Sequence, residues 1–215
     1  MSTATATSPL PKTLLERLDL PEVLEVRTTL DEYFDFVESC EYRLDYSDGK
    51  IIAMGYASIS HEALVGRLIY LLTDLLGLNS DFHVLGSNVA TFIPDVQAVH
   101  NGDVVVLQGK PEYYIHQTAK KKVKVLTNPY LIVEVLSKGT ERYDRGVKLQ
   151  RYKTLPSIQH ILLVEQKKPG VSLYSRTGRP GQWLNLEVHD LENGYVTLQR
   201  KRLRLTDIYQ NALAD

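Results

Sequence analysis

Apolar residues run almost without interruption from Tyr130 to Leu136 and again from Ile158 to Val164, the pattern of strands covered on both faces. The polar stretch between them opens with Ser137 to Thr140 and ends before Pro156. It carries Tyr143, Val147 and Leu155 near one helical face, with Leu149 and Tyr152 widening the stripe. Strand, helix and strand of these lengths predict a right-handed crossover between two parallel neighbours. Alternation along the first strand sets Ile132, Glu134 and Leu136 on one face and Leu131, Val133 and Val135 on the other. The expected core includes Ile132, Val133, Val135, Leu149, Ile161 and Leu163.

The rest of the chain supplies elements on either side of this unit. Thr29 to Glu32 is a capping-box pattern that opens a short amphipathic helix. Glu41 to Tyr46 and Lys50 to Met54 flank Ser47-Asp48-Gly49, a hairpin signal that puts Asp45 near a hairpin end. From Ser60, apolar residues at helical spacing continue to Gly77, where a helix ends. Phe82 to Ile93 reads as one strand kinked at Gly86, Pro94 to Gly102 as turns, and Asp103 opens the strand VVVL. Gln108 to Leu126 reads as a basic connection. Val171 to Ser175, Trp183 to His189 and Tyr195 to Leu198 read as an antiparallel extension of the sheet, and Leu203 to Ala212 as a closing turn or helix. Residues 1–27 read as a partly disordered N-terminal tail and 28–215 as one α/β domain.

Composition narrows the function classes. Twenty-five basic against 26 acidic side chains leave a net charge of −1, so attraction to nucleic acid has to come from local patches. The single Cys40 excludes an internal disulfide and a multi-cysteine zinc site, which suits a reducing cytoplasm. No apolar stretch approaches the roughly 20 residues of a membrane span, so no membrane partner is expected.

Candidate chemistry begins with Glu134, a carboxylate inside an apolar strand, where ionisation without a partner is costly. Asp103, at the mouth of a β-branched strand, is placed to converge with it. Asp144 and Lys148 are four apart on the crossover helix, from which a lysine can reach the end of the strand carrying Glu134. The same spacing is also an ordinary helical ion pair worth about 0.2 to 0.5 kcal/mol. His61 and Glu62 fill the first turn of the long helix, where a capping histidine is the plainer reading of His61.

In order and spacing, the first capped helix, LDYSDGKIIAM followed by SISHEALVGRL, GDVVVL, LIVEVLSKGTERYDRGVKLQRY and HILLVEQ resemble the Uma-two family of restriction-endonuclease-like proteins, a branch of the PD-(D/E)XK nuclease superfamily. The resemblance implies a restriction-endonuclease-like mixed sheet flanked by helices, with the antiparallel C-terminal extension. It implies a Mg²⁺-dependent endonuclease acting on DNA, with Mn²⁺ as a substitute, and a homodimer would make cleavage of two strands easy. The alternative is a nuclease-fold protein that binds nucleic acid or a partner protein without cleaving. Carried over by position, Asp103 and Glu134 are the motif carboxylates and metal ligands, the Val135 carbonyl is a third ligand, and Lys148 is the catalytic lysine. Asp45, His61 and Asp144 are auxiliary. This chain departs from the pattern in having Gly102 before the motif aspartate, with a literal Pro94-Asp95 upstream. Leu136 stands where the superfamily has its lysine, which leaves Lys138 to compete with Lys148, and Lys50 stands at a hairpin position that is often acidic.

Overall fold

The computed structural model describes residues 10–18, 23–118 and 120–211. Among the described residues, fifteen strands form two sheets and a hairpin: β1 (Leu24–Arg27), β2 (Leu44–Ser47), β3 (Lys50–Ala53), β4 (Phe82–Gly86), β5 (Ala90–Ile93), β6 (Ala98–Asn101), β7 (Val104–Gln108), β8 (Tyr113–Gln117), β9 (Lys122–Leu126), β10 (Pro129–Leu136), β11 (His160–Glu165), β12 (Val171–Arg176), β13 (Trp183–Val188), β14 (Tyr195–Leu198) and β15 (Lys201–Arg204). One sheet has the order β13-β12-β11-β10-β7-β4, the other β1-β3-β2-β6-β5-β9-β8, and β14 pairs with β15. The predicted crossover is present: β10 lies parallel to β11, with Ile132 opposite Ile161 and Glu134 opposite Leu163.

All eight residues of β10 are buried, as a near-continuous apolar run demands of a central strand. Its two faces enter different cores. Leu131, Val133 and Val135 pack with Leu64, Leu68 and Leu72 of the long helix α3 (Ile59–Leu76). Ile132 and Leu136 face the other way, into a cluster with Leu149, Tyr152, Leu155 and Ile158 from the crossover. Glu134 shares this second face by alternation, so its carboxylate is directed toward the crossover helix. A third cluster fills the seven-stranded sheet's face under α2 (Leu30–Val37), whose Thr29 cap and Glu32 form the expected capping box.

The crossover helix is not a plain α-helix. A first turn, Glu141–Tyr143, leads into a π turn, Asp144–Lys148, and an α turn, Leu149–Tyr152. The wider π turn shifts the inward face by one position, so Asp144, Lys148, Leu149 and Tyr152 are buried and Val147, expected in the apolar stripe, is 36% exposed. The chemistry-bearing pair therefore points at the sheet instead of lying on its flank.

Other departures from the sequence reading follow from strand signals hidden by polarity or turns. Phe82 to Ile93 is two strands in different sheets, and the turn-rich stretch before Asp103 contains β6. The basic connection is the hairpin β8–β9, in which Val123 and Val125 face the core while Lys122 and Lys124 face solvent. Of the C-terminal extension, β12 and β13 join the sheet, but β14 pairs only with β15. The described part of the sequence before residue 28 carries elements of its own. A short helix, Leu14–Leu18, precedes β1, which pairs with β3, and Leu10 is buried in the third cluster. Residues 1–9 and 19–22 of the sequence-read tail, and Ala212 at the closing element, lie outside the described residues. Among the described residues no helix is long and apolar enough to cross a membrane.

Candidate functional site

The site is built where β7 stops pairing with β10. The last registered pair is Val133 with Val104. Asp103 then replaces the missing strand: its backbone N–H donates to the Val133 carbonyl at 3.0 Å, and its Oδ2 accepts from the Val135 N–H at 2.8 Å. The N–H and C=O of one strand residue point to the same edge, so the Val135 carbonyl also faces the Asp103 side. Gly102 permits this close approach, because a Cβ there would lie 2.8 Å from Ile132 Cγ2.

Lys148 is the hub. Its Nζ is 3.1 Å from Glu134 Oε1, 3.4 Å from Asp45 Oδ2, 3.4 Å from Asp144 Oδ1 and 3.1 Å from the Asn101 carbonyl. Tyr152 donates its hydroxyl to the same Glu134 Oε1 at 2.7 Å, and Thr140 donates to Asp144 Oδ2 at 2.7 Å. Asp45, on β2, is anchored from the neighbouring strand: its Oδ1 accepts from the Asn101 N–H at 2.8 Å and the Asn101 side-chain amide at 2.9 Å. His100 Nδ1 lies 3.4 Å from Asp45 Oδ2 and 3.3 Å from the Tyr143 hydroxyl. The His100 ring is fully buried, and its Nε2 has no hydrogen-bond partner among the described residues.

His61 comes from α3, whose N-cap Ser58 accepts the His61 N–H at 3.3 Å. Its Nε2 sits 3.2 Å from Asp103 Oδ2, so it is a buried partner of the motif carboxylate rather than a surface cap. Its Nδ1 lies 3.5 Å from Glu62 Oε1, without hydrogen-bond geometry. Arg43 stands 3.9 Å from Asp103 Oδ1, an ion-pair distance but too long for a hydrogen bond.

These contacts set the charges. Burial disfavours an ionised Glu134, the neighbouring Asp144 and Asp103 add repulsion, and its pKa is pushed well above the ordinary carboxylate value despite Lys148. Burial raises Asp144 as well, and Lys148 only partly offsets it. Burial acts against the charged form of Asp45 too, but Lys148, His100 and Asn101 overcome it and hold its pKa low. In Asp103 the burial cost is likewise outweighed by His61, Lys148 and the Val135 N–H, which hold it below the usual value. Burial lowers a lysine pKa, yet Asp45, Glu134 and Asp144 keep Lys148 firmly protonated. For His61 the Asp103 carboxylate and Glu62 outweigh burial and raise the pKa. His100 moves the other way, because burial outweighs Asp45.

Three acids, Asp45, Glu134 and Asp144, thus share one fully engaged ammonium. Among the described residues no three His, Cys, Asp or Glu side chains form a ready-made metal cage. Oxygens remain, however. Glu134 Oε2 and Asp103 Oδ1 accept no hydrogen bond among the described residues, and the Val135 carbonyl faces the same edge. Two carboxylates and a carbonyl, with waters completing the shell, are the donor set a hard divalent cation favours.

A cleft of about 770 Å³ opens over this floor, and Asp45, His61, Asp103, Glu134, Asp144 and Lys148 all line it. All of the sequence-nominated side chains thus line one cleft, six of them buried and Lys138 exposed on its rim. Asp95 of the literal Pro-Asp is exposed on a 3-10 turn away from the cleft, and Lys50 pairs with Glu25 at 2.7 Å. Sequence reasoning missed Arg43, His100, Asn101, Tyr143 and Tyr152. For His100 and Asn101 the available signal was their place immediately before Gly102-Asp103, in a stretch whose turns concealed β6.

The family model Uma2, described as "Putative restriction endonuclease", matches residues 30–202. The uncharacterized protein slr1290 of Synechocystis sp. is 33% identical over 156 residues, covering 73% of this chain and 77% of that protein. The uncharacterized protein sll1609 of the same organism is 30% identical over 160 residues, covering 74% and 86%. A crystal structure from Anabaena variabilis, described as a putative nuclease belonging to DUF820, superposes with a TM-score of 0.66 at 17% identity, covering 86% of this chain and 99% of that one. At that identity the likeness shows a shared fold, a mixed sheet flanked by helices.

Proposed function

The chain belongs to the Uma2 family, and from that premise we propose that it is a metal-dependent endonuclease hydrolysing DNA phosphodiester bonds. The observation that carries this reading is the convergence of Asp103, Glu134 and Lys148 on one cleft floor, from a strand mouth, a strand end and a π turn. Asp103, Glu134 and the Val135 carbonyl would hold Mg²⁺, or Mn²⁺ in its place, which when bound supplies Lewis-acid neutralisation of a scissile phosphate.

The protein's own groups have separable tasks. Lys148, kept protonated by three carboxylates, acts as a fixed cation beside the phosphate, and it is no general base at neutral pH. Asp45 and Asp144 hold the ammonium in place, and Tyr152 fixes the Glu134 oxygen that Lys148 shares. His61 and the Val135 N–H hold Asp103 Oδ2, leaving Oδ1 toward the cleft.

Phosphate binding draws on the crossover, where Lys138, Arg142, Arg145, Lys148, Arg151 and Lys153 face Glu141 and Asp144. Much of that charge is already paired, Arg145 with Glu141 and Glu165 and Arg151 with Asp48. Binding is therefore weak and salt-sensitive, and a homodimer would join two patches and two sites. The test is supercoiled plasmid at low salt with Mg²⁺ or Mn²⁺: nicking that EDTA stops supports the proposal, and nicking that persists in EDTA excludes it.

A further inference from the structure

Resting on the nuclease reading, we infer that the substrate enters this cleft as a single strand, with one unpaired base stacked on Tyr56. Tyr56 lies in the loop between β3 and α3 and lines the cleft, yet it is 66% exposed. Among the described residues its ring packs on no other aromatic and its hydroxyl makes no hydrogen bond. Half-buried Tyr42 and Met54 continue this apolar wall beside the acidic floor. A large aromatic ring left uncovered over a phosphodiesterase floor is the platform that a nucleobase uses, because every base has a π face.

Depth and size point the same way. Glu134, Asp144 and Lys148 are only 2%, 3% and 4% exposed, so a phosphate has to descend to the floor to reach them. The cleft's volume of about 770 Å³ is that of a pocket for a small molecule, about 300 to 1,000 Å³. It holds a few nucleotides of extended strand. An intact duplex, whose major groove alone is about 12 Å wide, does not fit inside. Lys138 and Lys167, exposed on the rim and in no ion pair among the described residues, are placed for the flanking phosphates.

The test is fluorescence anisotropy in Ca²⁺ with a labelled thymidine oligonucleotide about ten nucleotides long, within the site sizes of single-strand binders, against a blunt hairpin duplex of equal length. We expect the oligonucleotide to bind at least about tenfold more tightly than the duplex, Tyr56→Ala to weaken it about tenfold, and Tyr56→Phe to retain it. A Tyr56→Trp protein adds an indole besides Trp183, the chain's one tryptophan, and the added emission should be quenched by the oligonucleotide. Equal binding of strand and duplex, or of wild type and Tyr56→Ala, overturns the inference. Plasmid nicking reads the parent proposal separately. Nicking without Tyr56-dependent binding removes the stacking site alone, and Tyr56-dependent binding without metal-dependent cleavage removes the nuclease reading alone.

Discussion

Lys148 Nζ lies 3.1 Å from Glu134 Oε1, a contact between the π turn of the crossover helix and the end of the strand that the helix follows. Both side chains are buried, and Asp45 and Asp144 close on the same ammonium at 3.4 Å. An isolated i,i+4 pair on an exposed helix contributes a few tenths of a kcal/mol. Here the lysine instead neutralises acids from three separate elements, so its removal leaves uncompensated buried charge.

A Lys148→Ala protein is therefore expected to lose about 3 to 5 kcal/mol of stability at neutral pH, as well as cleavage. The deficit should shrink as the pH falls, because protonation of Glu134 and Asp144 removes the orphaned charge. Urea unfolding at pH 7 and pH 5 checks this, and an equal deficit at both pH values would contradict it. Lys138→Ala, on the exposed rim, should leave stability and kcat near wild type and raise KM.

Calorimetric titration with Mn²⁺ should show binding that Glu134→Gln abolishes. Because Glu134 has a raised pKa, binding should also release a proton and strengthen as the pH rises. Undiminished binding by Glu134→Gln would remove this carboxylate from the metal site.

The Asp45 pKa is held low in the folded protein, so its stabilising contribution is complete above the unfolded-state value and is lost as pH falls through the folded-state value. Glu134 has the opposite sign: its raised pKa means that stability is gained as pH falls toward its unfolded-state value. Acid unfolding should therefore begin only below the ordinary carboxylate range. In Asp45→Asn, whose folded state lacks this ionisation, the acid limb of the stability profile should flatten.

Tyr152→Phe removes the hydroxyl that meets Glu134 Oε1 at 2.7 Å. Such a bond contributes about 0.5 to 1.5 kcal/mol when its partner is neutral and about 1.5 to 3 kcal/mol when it is charged, so thermal unfolding should shift downward, most at a pH where Glu134 is ionised.

The crossover was legible because its strands are apolar throughout and its helix is bounded by a turn and by Pro156. Glu134 was legible as the one carboxylate in that run, and Asp103 as the acid opening the run VVVL. The π turn was not, since no side chain in Asp144–Lys148 announces an extra residue per turn, and so Val147 was assigned inward in place of Lys148. The hairpin β8–β9 was hidden by charge: Lys122 and Lys124 alternate with Val123 and Val125, a period-two pattern read as a basic loop. His100 and Tyr152 were silent because a buried polar group is recognised by its partners, which come here from strands and helices distant in sequence.

The most direct measurement is plasmid nicking at low salt with Mn²⁺ by the wild-type protein and by Asp103→Ala, purified identically. The account predicts nicking by the wild type and at least about a hundredfold slower nicking by the variant, the scale of losing an electrostatic group essential to the reaction. Equal rates in both preparations, or no nicking of plasmid, branched or single-stranded DNA by the wild type, would contradict it.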